Sequence, residues 1–155
     1  MKLRFVWVGK TKRAAIKELV DDYLERVRRF ASVEFVELRD RNDVGQDARR
    51  IVEKEGEDLL QRTAGDPFVI VLDERGRHFD SMKFADMIER HRLAGTKQLT
   101  FVLGGHGGLS ERVRGRGDLV LALSKMTLTH ELARVLLVEQ VYRAFAIIHD
   151  LPYQK

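Results

Sequence analysis

Apolar runs of strand length alternate along the chain with charged stretches of helical spacing. The strand-like runs are 3-LRFVWV-8, 33-VEFVEL-38, 68-FVIVLD-73, 99-LTFVLG-104 and 119-LVLAL-123. Between the first two, residues 14–30 place Ile16, Leu19, Val20, Tyr23, Leu24, Val27 and Phe30 at i, i+3, i+4, i+7 steps, the signature of one helix face. Similar patterns cover residues 46–62 and 81–93, and the longest covers residues 131–149. Strand–helix alternation predicts an α/β domain with a largely parallel sheet. FVIVL and LTFVL are apolar throughout, as expected of strands covered by helices on both faces. Gly65-Asp66-Pro67 ahead of the third strand, Gly76 after it and Gly95 ahead of the fourth supply turn punctuation. With no repeat or linker, residues 1–155 read as one domain.

The last helix, ELARVLLVEQVYRAFAII, is apolar around most of its circumference. Such a helix is buried on most sides. One sheet covers one side, so the pattern predicts a second copy of the chain against the other, with Val138 and Val141 as candidate interface positions.

Composition narrows the function. The chain has 28 Lys+Arg against 24 Asp+Glu, a formal charge of +4, which permits a nucleic-acid partner without requiring one. No cysteine is present, which excludes disulfides, thiolate nucleophiles and cysteine-based zinc or iron–sulfur sites. The N-terminal apolar run FVWV is too short for a signal sequence or a membrane span. The expectation is a soluble cytoplasmic protein without a metal site and without a membrane partner.

The candidate chemistry lies in 104-GGHGGLS-110, directly after the fourth strand, with Ser110 placed to cap a short following helix. Open α/β sheets bind ligands at the carboxyl ends of their strands. A Walker loop is excluded, because Leu109-Ser110 stands where Lys-Ser/Thr is needed. A dinucleotide fingerprint fits poorly, with serine in the third glycine position and the loop after the wrong strand. A structural turn and a nucleoside-like ligand held by main-chain groups both remain. The loop 123-LSKMTLTH-130 after the fifth strand, and 72-LDERG-76 after the third, favour a shared pocket.

These segments carry a family resemblance. Gly104-Gly105 with Gly108-Leu109-Ser110, Leu123-Ser124-Lys125-Met126-Thr127, His130, Arg134-Val135-Leu136-Leu137, Glu139-Gln140-Val141-Tyr142-Arg143-Ala144 and Pro152-Tyr153 together resemble the bacterial ribosomal large subunit methyltransferase H family of small SPOUT-class enzymes. Val8-Gly9-Lys10 and LDERG are similar as well, so the likeness spans essentially the whole chain. It implies a SPOUT-type parallel sheet flanked by helices, with a C-terminal trefoil knot, and a homodimer. It implies S-adenosylmethionine as cofactor, and as acceptor N3 of a pseudouridine in a hairpin loop of 23S rRNA, on the assembled ribosome. Carried over, the cofactor contacts are Leu72, Gly104, Leu123, Ser124, Lys125, Met126, Thr127 and Leu128. A SPOUT enzyme acting on tRNA and a non-catalytic RNA-binding module on this fold are the alternatives.

Transfer of a methyl group from a sulfonium needs alignment and removal of the weakly acidic N3 proton, not a metal. His130 is the candidate proton acceptor, at the start of the last helix where the neutral imidazole is favoured. Arg143 is the candidate for holding a phosphate or an anionic base, or for pairing with Glu139. Arg134 is expected to face RNA or to pair with Glu131 or Asp118. Tyr153 is a candidate for stacking on the target base. The family ordinarily ends Pro-Tyr-His-Arg, whereas Gln154-Lys155 follows Tyr153 here, so no acid–base side chain stands at 154. His106 reads as an exposed loop residue. Among the basic clusters, 112-RVRGR-116 is the expected RNA contact, because it follows the glycine loop.

Overall fold

The computed structural model describes residues 1–41, 45 and 47–153; Gln46, Gln154 and Lys155, named above, lie outside them. Its elements follow in the order β1 (Lys2–Val8), α1 (Ala14–Arg28), β2 (Ser32–Leu38), α2 (Ala48–Thr63), β3 (Val69–His78), α3 (Ser81–Leu93), β4 (Gln98–Leu103), α4 (Glu111–Arg116), β5 (Leu119–Ala122) and α5 (His130–Ile148). All five predicted strands and the four long helices are present, and Ser110 caps α4 by accepting from the Val113 N–H at 3.4 Å.

The strands form one sheet in the order β2-β1-β4-β3-β5, parallel at every pairing. Period-two alternation divides its side chains between two layers. Leu3, Phe5 and Trp7 of β1, with Leu99, Phe101 and Leu103 of β4, face a layer made by α1, α3 and α5. Val6, Val8, Val69, Val71 and Val102 face Leu59 of α2 and Val113 of α4. Phe5 and Phe101, paired in register, stack at 5.3 Å between centroids.

Two features depart from the sequence reading. Gly76 does not follow the third strand but lies within it. The chain leaves the β3–β5 ladder after Leu72, makes an excursion through Asp73–Gly76 and returns, so Leu121 pairs first with Leu72 and then with Arg77. Glycine is required at the return, because a Cβ on Gly76 would stand 2.7 Å from the Leu121 backbone. Second, Val138 and Val141 are wholly buried within this single chain and do not face outward. The apolar residues that α5 leaves exposed are Leu132 and Leu136, at 45% and 40%. The core layer of α1 and α3 already covers the valines, so the exposed stripe lies on the opposite side of the helix.

Candidate functional site

The excursion within β3 and the loops after β4 and β5 converge at the carboxyl edge of the sheet. They enclose a cavity of about 700 Å³, inside the range of roughly 300–1,000 Å³ usual for small-molecule sites. Three ties hold the loops together. Thr127 Oγ1 donates to Glu74 Oε2 at 2.8 Å, joining the β3 excursion to the loop after β5. Arg114 donates to Asp73 Oδ2 at 3.1 Å and to the Leu109 carbonyl at 2.6 Å, joining that excursion to α4 and to the end of the glycine loop.

The glycine loop is a tight turn. The Gly108 N–H donates to the Gly105 carbonyl at 3.1 Å, and Gly108 has φ +80°. A Cβ on Gly104 would lie 2.5 Å from the Gly108 carbonyl oxygen. The bare main chain is therefore folded against itself while it forms one wall of the cavity.

Of the expected cofactor contacts, Leu72, Gly104, Leu123, Ser124, Met126, Thr127 and Leu128 all line this cavity. Lys125 does not; it is exposed, and the wall passes to its neighbours. Met126 is 77% exposed, at the rim, while Leu103, Leu109 and Leu121 supply buried apolar floor. Sequence reasoning took only Leu72 from 72-LDERG-76 and missed Asp73, Glu74 and Arg114, which tie the walls together. The available signal was the charged break in a strand otherwise apolar. It also missed Glu55 of α2, a buried carboxylate that accepts from the Arg41 N–H at 3.0 Å and sits beside Gly105. Burial, with Asp40 and Asp58 nearby, pushes its pKa above the ordinary carboxylate value.

His130 opens α5 and borders the cavity. It is not the helix cap: Thr129 fills that position, accepting from the Leu132 N–H at 3.4 Å. Burial is the main force holding the His130 pKa below its ordinary value, assisted by the Arg134, His106 and Lys12 charges and opposed by Glu131. The ring is a neutral acceptor at physiological pH. His106 is exposed, as expected, yet lines the same cavity, its ring edge-on to His130 at 6.3 Å.

Arg134 neither faces outward nor pairs with Asp118. It is fully buried, donating to the Val8 carbonyl at 2.5 Å and to Thr11 at 2.8 Å, with its guanidinium 5.0 Å from the Trp7 ring. Glu131 accepts from the Lys12 N–H at 2.7 Å. The first turn of α5 thus holds the loop that follows β1.

Arg143 and Tyr153 lie elsewhere within the chain. At about 1.5 Å of rise per residue, α5 separates Arg143 from His130 by roughly 20 Å. Arg143 bonds Glu139 at 2.6 Å and covers the Tyr153 ring at 4.8 Å. The Tyr153 hydroxyl donates to Glu139 at 3.1 Å and meets Tyr23 at the same distance. Burial and these partners push its pKa up. The basic run 112-RVRGR-116 is largely engaged as well. Arg114 serves the cavity, Arg116 bonds the Thr63 and Asp66 carbonyls, and Arg112, 63% exposed, lies 3.7 Å from Glu57. Among the described residues no His/Cys/Asp/Glu cluster is arranged for a metal, and no helix is long and apolar enough to cross a membrane.

The sequence profile of a family described as predicted SPOUT methyltransferases matches residues 1–154. A ribosomal RNA large subunit methyltransferase H of Trichlorobacter lovleyi is 44% identical over 154 residues, covering 99% of both chains. Its namesake in Geobacter sulfurreducens is 45% identical, again over 99% of each. The solved structure of a probable methyltransferase from Bordetella pertussis superposes with a TM-score of 0.58 over 92% of this chain and 95% of its own, at 14% identity, a likeness of fold.

Proposed function

Since the chain belongs to the SPOUT methyltransferase family, we propose that it is an S-adenosylmethionine-dependent methyltransferase acting on N3 of a pseudouridine in a hairpin loop of 23S rRNA, on the assembled cytoplasmic ribosome. The observation that carries this reading is the convergence of the β3 excursion, the glycine-rich loop after β4 and the loop after β5 on a single cavity with both apolar and polar lining. The fit to the cofactor is good. Leu72, Leu123 and Leu128 offer apolar surface to a purine, and the main chain of Gly104 and Gly105 lines the same cavity. When bound, the sulfonium supplies an electrophilic methyl group with a neutral leaving group. The chain's own task is to align the acceptor, exclude water and take the N3 proton, and His130, held neutral at the cavity wall, is the group for that last role.

The same proposal includes the C-terminal trefoil knot and a homodimer. Exposed Leu132 and Leu136 support the dimer. His130 and Arg143 lie about equally far along α5 on either side of Leu136. An antiparallel pairing of two such helices across a two-fold axis near Leu136 sets Arg143 and Tyr153 of one copy toward His130 of the other.

Isothermal titration with S-adenosylmethionine tests the cavity, with a Kd below about a millimolar expected. Nucleoside mass spectrometry of rRNA from a strain lacking the chain tests the substrate. Loss of one methylated pseudouridine from 23S rRNA is expected. Unchanged 23S rRNA with a change in tRNA would move the assignment to the tRNA alternative.

A further inference from the structure

A second, smaller cavity of about 210 Å³ adjoins the first, and the two share Gly105, His106 and His130. Its remaining walls come from the ends of β1 and β2, through Val8, Gly9, Lys10, Lys12 and Asp40, and from Glu131 in the first turn of α5. A water molecule claims about 30 Å³ in the liquid. The space therefore holds the bulk of one substituted six-membered ring, not of a purine nucleoside.

We propose that this cavity is the seat of the acceptor base, a flat imide-bearing pyrimidine, with Lys12 supplying the positive charge that stabilises the deprotonated imide. The inference rests on the methyltransferase reading of the larger cavity and assigns the second half of that site.

Three observations carry it. Reacting atoms must approach within about 3–3.5 Å of one another, and a cavity sharing the wall residue His130 with the donor cavity allows that approach. The lining is polar and charged, as an imide with two carbonyls and one N–H requires. Lys12 is placed and yet free to act. Its N–H is fixed by Glu131 at 2.7 Å, and its neighbour Thr11 is fixed by Arg134 at 2.8 Å. Among the described residues its ammonium group meets only Asp40, at 3.8 Å, with a side chain 74% exposed. An incoming base displaces that loose contact and takes the ammonium as its own partner. Glu131 Oε1 is committed to the main chain at Lys12, while its Oε2 is buried without a hydrogen-bond partner among the described residues.

The step balances. The imide nitrogen gives its proton to the free ring nitrogen of His130 and forms a bond to the methyl carbon. The carbon–sulfur bond breaks with its electron pair going to sulfur, which becomes a neutral thioether. The imidazolium then releases its proton to water.

The test uses the full chain with ribosomes from a strain lacking it, and radiolabelled S-adenosylmethionine. Lys12→Ala, Lys12→Arg and Asp40→Phe are compared with wild type for donor Kd by calorimetry and for turnover against pH. Donor Kd is expected to stay within about twofold in all three. Lys12→Ala is expected to lower kcat at least about tenfold and to move the rising limb of the pH profile upward, because the imide then loses its proton less readily. Lys12→Arg should restore most of the rate. Asp40→Phe, filling the seat, should abolish turnover while donor still binds. Wild-type turnover and an unchanged pH profile in Lys12→Ala would overturn the inference and leave the donor cavity standing, and Lys12→Ala is decisive even if Asp40→Phe does not fold. No donor binding by the wild type would remove the methyltransferase reading and this inference together.

Discussion

The guanidinium of Arg114 reaches Asp73 at 3.1 Å, with both side chains mostly buried at 18% and 11% exposure. The same arginine holds the Leu109 carbonyl. One side chain therefore links the excursion in β3 to the end of the glycine loop and sets the separation of two cavity walls. Replacing Arg114 by Met leaves Asp73 and the carbonyl without these donors. A cost of about 1–3 kcal/mol in urea-denaturation stability is expected. Donor affinity should fall roughly tenfold as the walls loosen, read by calorimetry. Unchanged affinity would mean that the walls are positioned by something else.

Gly104→Val places branched carbons where the Gly108 carbonyl oxygen already lies 2.5 Å from the Cβ position. The loop must open, and donor binding should drop at least about a hundredfold. Apart from Leu109, whose side chain lies 3.0 Å from that Cβ position, the hydrophobic layers on both faces of the sheet are untouched, so a cooperative thermal transition should remain. Retained affinity would count against the glycine loop as a cavity wall.

Leu136 and Val138 are two residues apart on α5, but one is 40% exposed and the other fully buried. Leu136→Asp should convert the proposed dimer to folded monomers in analytical ultracentrifugation. Val138→Asp should unfold the chain, because it buries an unpaired charge. Leu136→Asp sedimenting with wild type would remove this stripe as the contact of the proposed dimer.

Two histidines titrate below their ordinary value because of burial, His130 at the cavity and His91 against the Phe68 ring at 4.1 Å. Their unfolded forms bind protons more readily than their folded forms. The stability they contribute is complete above about pH 6.5 and declines as pH falls through the lowered folded values. Urea midpoints from pH 8 down to 5 should show this decline, and His91→Phe should reduce it. Methyl transfer should lose rate over the same acid range as His130 gains a proton, whereas a rate rising toward pH 5 would exclude His130 as the proton acceptor.

Arg134 illustrates how far side-chain type is from side-chain role. Its charge and its place in an apolar helix suggested an RNA contact or a surface pair. Burial against Trp7 and bonds to Val8 and Thr11 make it instead the anchor for the loop carrying Lys12. No local pattern announces this, because the partners lie more than a hundred residues away in the chain.

Local physics written along the chain determined the order of strands and helices, the parallel two-faced sheet and the carboxyl-edge position of the glycine loop. Each of these follows from hydrophobic period, turn residues and caps within a short window. The same windows named most of the larger cavity's lining, since that lining sits in contiguous loops. Only the tertiary structure decided that β3 bulges at Asp73–Gly76 and that Asp73, Glu74 and Arg114 hold the walls together. It also decided that Val138 and Val141 are spent on the chain's own core, and that His130 stands between two cavities while Arg143 and Tyr153 lie at the far end of its helix. Those outcomes depend on which distant segments the sheet order β2-β1-β4-β3-β5 brings side by side, and long-range packing of that kind leaves no periodic trace in the amino acids it joins.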